Sequence, residues 1–131
     1  MNSKRALSVS LLSLLCLSSQ AVAQPAEHAR QSCFFSQQFD NWKAADAKTM
    51  YIHVRPNRYY RLDMSAPCHA LMQPGAFLIT RLRGSSTICS ALDWELHVAT
   101  SWHGIPQACI VKKMTELTPA EVAKLPPKVK P

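Results

Sequence analysis

The residues best placed to do chemistry are cysteines, a short run of acids with a histidine, and a set of arginines. Beyond residue 23 the chain has Cys33, Cys68, Cys89 and Cys109, with no C-x-x-C pair among them. An even number of cysteines without metal-ligand or redox spacing reads as two disulfides in an oxidising compartment. Three pairings are open, and the one preferred here is Cys68–Cys89 with Cys33–Cys109. The first would lock a central segment, and the second would tie the N-terminal arm to the last strand. Asp93, Glu95 and His97 alternate along one segment. General acid–base work needs such groups close together with shifted pKa values, so they would carry the chemistry of a small hydrolase. Their plainer reading is the solvated edge of a strand.

His53, His69, His97 and His103 have no i, i+4 pair of the H-E-x-x-H kind. His53 and His97 could be neighbours on strands, but no metal site is assigned and no cofactor is expected. Gly84-Ser85-Ser86 lacks the second glycine of a nucleophile elbow and reads as a turn. Asp46 and Asp63 lie beside turns, where aspartate usually caps backbone amides. Arg55, Arg58, Arg61, Arg81 and Arg83, with Tyr59, could converge from a hairpin and an adjacent strand into one positive face with a stacking residue. Such a face would meet an anionic envelope component such as polysaccharide or phospholipid head groups. Single-stranded nucleic-acid binders use similar faces, but nucleic acid is not the expected partner. The competing reading is a solvated face with cross-strand pairs to Asp63 and Glu95.

The N-terminus has the layout of a secretory signal. Lys4 and Arg5 precede the apolar stretch from Ala6 to Leu17, and Ala21-Val22-Ala23 is a small-x-small cleavage site. The stretch is shorter than the ~20 residues a membrane helix needs. Cys16 follows Leu15 rather than a small residue, which disfavours a lipoprotein signal. Cleavage after Ala23 would leave one domain's length of chain. It would also take the 15 basic residues down to 13 against 8 acidic ones, a net charge of +5. The product would be periplasmic or secreted, with no transmembrane span. A basic balance favours anionic partners but selects none.

The elements that must position these residues read as mainly β. Residues 24–32 are a polar arm. Phe39, Trp42 and Ala45 are spaced for a short helix or an irregular turn. Strands are expected over 49–54 and 59–64 as a hairpin, then over 76–83, 93–98 and 108–114, with a short extended piece at 87–89. Met50, Ile52 and Val54 share one face of the first strand; Trp94, Leu96 and Val98 share one face of the fourth. Cys68 to Met72 fits one helical turn. Thr118-Pro119-Ala120-Glu121 is a capping box with proline at the first helical position, and residues 127–131 read as a disordered tail. A small barrel or sandwich of about five to six antiparallel strands, with a short C-terminal helix over a single domain at 33–126, follows.

From Cys33 to Pro127 the chain resembles an uncharacterised family of small exported proteobacterial proteins (domain of unknown function six-four-nine-one). The likeness is carried by Cys33-Phe34, Trp42 with Asp46, Thr49-Met50-Tyr51-Ile52-His53-Val54, Tyr60-Arg61-Leu62-Asp63 and Pro67-Cys68. It continues through Arg83-Gly84, Ile88-Cys89, Leu92-Asp93 with Glu95, Cys109, and Leu117-Thr118-Pro119-Ala120-Glu121-Val122. It implies the domain extent and an envelope location. Many members look like lipoproteins, and this chain departs from them in its signal. No activity comes with the resemblance. The expected role is therefore an exported accessory or binding domain that meets an anionic envelope component or a protein. The small hydrolase is one alternative, and a structural envelope protein without ligand is the other.

Overall fold

Strand-forming residues dominate the chain, and the computed structural model, which describes residues 33–131, builds three antiparallel sheets from them. In chain order the strands are β1 (Phe34–Phe35), β2 (Phe39–Ala44), β3 (Thr49–Val54), β4 (Arg58–Met64), β5 (Phe77–Leu82), β6 (Thr87–Ile88), β7 (Trp94–Ala99), β8 (Gln107–Ala108) and β9 (Val111–Glu116), followed by the helix α1 (Pro119–Lys124). The main sheet has the order β2-β3-β4-β9, a second has β5-β7-β8, and β1 pairs with β6. The sheets share one core and do not close into a barrel. The signal peptide expected over residues 1–23 and the polar arm expected over 24–32 lie outside the described residues. Among the described residues no helix is long and apolar enough to cross a membrane.

The β3–β4 hairpin shows why the core forms where it does. Asp46 accepts the Lys48 amide at 2.7 Å, and this Asx turn launches β3. Alternation then places Met50, Ile52 and Val54 on one face of β3, and Tyr60, Leu62 and Met64 on the same face of β4. All six are buried. Trp94, Leu96 and Val98 of β7 join them, together with Phe34 and Ile88 from the smallest sheet. The Trp94 ring meets Phe34 and Phe39 edge-on at 6.1 and 6.2 Å, an arrangement favoured by the ring quadrupoles.

Three expectations are corrected. The segment around Phe39 and Trp42 is neither helix nor turn but the edge strand β2. Its pairing with β3 shifts register between Phe39 and Asn41. The bulge adds one residue, so Phe39, Trp42 and Ala44 all lean on the core, and the three-residue step from Phe39 to Trp42 mimics a helical face. The disulfides are Cys33–Cys89 and Cys68–Cys109, not Cys68–Cys89 with Cys33–Cys109. Pairing of Phe34 with Ile88 brings the residues flanking β1 and β6 together. The bond from the Ser65 amide to the Ile110 carbonyl (2.8 Å) does the same for Cys68 and Cys109. Two disulfides fit an oxidising environment. The tail expected to be disordered, residues 127–131, begins in a turn in which the Val129 and Lys130 amides donate to the Pro126 carbonyl.

The capping box forms as its sequence requires. Thr118 Oγ1 accepts from the Glu121 amide, and Glu121 reaches back to the Thr118 amide at 2.7 Å. The turn at 68–72 is a 3-10 turn, His69–Met72.

Candidate functional site

The side chains opposite the core line the outer face of the main sheet. Register pairs Tyr51 with Arg61, Arg61 with Thr115, and Asp63 with Lys113, so strands β3, β4 and β9 bring these five side chains into neighbouring rows. Leu117 continues the wall, and its amide donates to the Tyr59 carbonyl at 2.8 Å. Glu121 and Leu125, from α1 and its end, close one side. The result is a groove of ≈ 460 Å³ lined by these eight residues. Beyond it on the same face, the His53 ring tilts against Tyr59 at 4.8 Å and Nδ1 lies 3.0 Å from Asp40. The Lys130 ammonium sits 5.9 Å over the Tyr59 ring, within cation–π range.

Charge in the groove is unevenly committed. Arg61 holds Asp63 at 2.8 Å, and that hydrogen bond raises the guanidinium pKa further. Glu121 is engaged by the Thr118 backbone amide and hydroxyl, which hold its carboxyl below the usual range. Lys113, Tyr51 and Thr115 make no side-chain hydrogen bond or ion pair among the described residues. The groove therefore offers an ammonium and two hydroxyls beside a fixed arginine–aspartate pair. Such a set suits hydrogen bonding to a polar or acidic ligand and supplies no activated nucleophile.

The arginines expected to form one face lie on two sheets, and most are neutralised where they stand. Arg55 is 3.8 Å from Asp40 and donates to the Gln37 carbonyl. Arg58 is half-buried, bound to Glu116 at 2.9 Å, to the Cys33 carbonyl and to the Tyr60 hydroxyl. The Glu116 hydrogen bond raises its pKa above the usual arginine value. Arg83 holds Glu95 at 2.8 Å from the β5–β7 sheet. Only Arg81 of the five has no ion-pair partner among the described residues. Tyr59 and Arg61 share the outer face of β4.

Asp93, Glu95 and His97 do not act together either. The Asp93 carboxylate accepts the Cys89 and Ser90 amides at 2.8 and 2.7 Å and caps that turn. These two bonds, the Cys89 amide first, hold its pKa below the usual aspartate value. Glu95 is on Arg83. Glu95 and His97 do line a second groove of ≈ 290 Å³ with Leu92, Trp94 and Ile110. His53 and His97 lie on different sheets. Among the described residues no three metal-ligating side chains converge.

Lys113, Thr115 and Leu117 are site residues that sequence reasoning missed. Their signal was present in the alternation of Lys113 and Thr115 with the core-facing Met114. It was obscured by a second bulge, where pairing shifts between Asp63 and Met64.

Fold and site together define a small disulfide-bonded, mainly β domain with a polar groove on its outer sheet face. The chain belongs to the Family of unknown function (DUF6491), whose model matches residues 3–130. Neither a curated protein nor a solved structure matches it significantly.

Proposed function

We propose that the protein is an exported, non-enzymatic binding or accessory domain that holds an anionic envelope component in the groove beside α1. The disulfides support an extracytoplasmic setting, and the signal read in residues 1–23 supplies the route. The observation that carries the reading is the uncommitted Lys113 ammonium, which shares with the Tyr51 and Thr115 hydroxyls a groove whose other charged side chains, Arg61, Asp63 and Glu121, are hydrogen-bonded. An acidic saccharide fits this chemistry. Its carboxylate would sit on Lys113, its hydroxyls would bond Tyr51, Thr115 and Asp63, and its ring face would lie on tyrosine. Arg55, Arg58, Arg81 and Arg83 contribute to the long-range positive field more than to contacts.

Titration calorimetry of the oxidised protein with polygalacturonate as the acidic probe tests this. Binding should weaken with added salt and fall by roughly tenfold in Lys113→Glu, the equivalent of about 1.4 kcal/mol. Binding unchanged in Lys113→Glu would remove the groove from the account. Unchanged capture of envelope glycans by that variant would do the same.

A further inference from the structure

We infer that the free edge of β5 pairs with β5 of a second copy, forming a two-fold antiparallel dimer centred on Thr80. The inference does not rest on the groove beside α1. Strand β5 lies at one end of the sheet order β5-β7-β8. The Arg83 amide donates to the Asp93 carbonyl at 2.8 Å, and on the other side of β7 the Cys109 amide donates to the Leu96 carbonyl at 2.8 Å. With Leu82 opposite Trp94, antiparallel alternation turns the backbone groups of the odd-numbered residues of β5 toward β7. The amides and carbonyls of Leu78, Thr80 and Leu82 therefore point away from β7. Among the described residues no strand pairs with that edge and no loop hydrogen-bonds to it.

The other strands at sheet edges are protected. Strands β1, β6 and β8 have two residues each. Strand β2 carries a bulge and Lys43, and β9 carries a register shift with Lys112 and Lys113. Short length, bulges and lysines keep an edge from pairing further. Strand β5 runs in unbroken register from Phe77 to Leu82 and contains no proline, lysine or acid. A regular edge without these devices is a template for another strand.

Self-complementarity chooses the occupant. Outward-pointing residues bond outward-pointing residues in an antiparallel ladder. The register centred on Thr80 sets Thr80 against Thr80 of the second copy and Leu78 against Leu82, so all three outward residues exchange their bonds. No other centre within the strand does this, and centring on Arg81 would oppose two guanidinium groups. In the Thr80 register Arg81 faces Ile79 instead. Leu78 packs against the core, and Leu82 is 40% exposed. Both lie on the face of the buried Val98 and Trp94 opposite them, so pairing Leu82 with Leu78 of the second copy continues the apolar layer across the two-fold axis. A threonine pair at the axis is itself a favourable cross-strand pair.

Sedimentation equilibrium of the oxidised protein over a concentration series tests this, with amide hydrogen exchange at high and low concentration. A dimer is expected, and the Leu78, Thr80 and Leu82 amides should exchange more slowly as it forms. Added salt should strengthen it, because the two copies carry the same net positive charge. Thr80→Pro should raise the dissociation constant by roughly tenfold or more, since it removes the central outward amide. A sheet edge tolerates proline where the amide faces solvent, so the melting temperature of that variant should stay near the parent's. Thr80→Lys and Thr80→Glu should each be monomeric alone and pair when mixed, because a register centred on residue 80 sets the two side chains against each other. Lys113→Glu should dimerise as the parent does. Three results would overturn the inference: a monomer at every concentration, a dimer undiminished by Thr80→Pro, or a mixture of the two charged variants that stays monomeric. Slowed exchange at Leu78, Thr80 and Leu82 when envelope extract is added to a monomeric protein would assign the edge to another protein's strand and overturn it as well.

Discussion

Asp93 illustrates how a side chain with catalytic credentials is spent on architecture. Its carboxylate satisfies two backbone amides beside Cys89, and those bonds depress its pKa. A depressed carboxylate contributes stability above its unfolded pKa, about 3.9. That contribution is lost as pH falls through the lower folded value. Asp93→Asn should therefore melt lower than the parent protein at neutral pH and show a smaller further loss on acidification below about pH 4. Thermal denaturation across that range measures both. Arg58 works similarly. It joins Glu116, the Cys33 carbonyl and Tyr60 in one half-buried knot. Arg58→Ala removes its charge-assisted hydrogen bonds to all three and should cost about 1.5–3 kcal/mol in urea denaturation.

At the level of elements, the β3–β4 hairpin bears the core. Ile52 and Leu62 are fully buried on its inner face, and truncating either to alanine should cost about 2–5 kcal/mol by chemical denaturation. Thr115→Ala on the outer face should stay within about 0.5 kcal/mol of the parent while weakening ligand binding in the groove. The hairpin was legible in the residues because period-two alternation is a local property. Strand β2 was not, since a bulge sets the core-facing Phe39 and Trp42 three residues apart, a step that imitates a helix. The capping box at Thr118 was legible because all its partners lie within one turn of chain.

For the whole molecule the disulfides matter most. They close loops with sequence separations of 56 and 41, each of which contributes about 4 kcal/mol in the chain-entropy picture. Domains of this size have about 5–15 kcal/mol in all. Reduction with dithiothreitol should lower the urea midpoint sharply, and Cys33→Ala with Cys89→Ala, which keeps only the Cys68–Cys109 bridge, should reproduce about half of that loss. Failure of reduction to shift the midpoint would show that the three sheets hold without their crosslinks.

The sequence by itself determined that four cysteines would crosslink, that the fold would be mainly β, which residues of the hairpin and of β7 would be buried, and where the last helix begins. Each depends on neighbours within a few residues. Tertiary structure alone decided which cysteines pair, which carboxylates neutralise Arg55, Arg58, Arg61 and Arg83, and that Lys113 shares one groove with Tyr51 and Arg61. Those outcomes follow from register between strands distant in the chain, and a single bulged residue can change them without leaving a readable local mark.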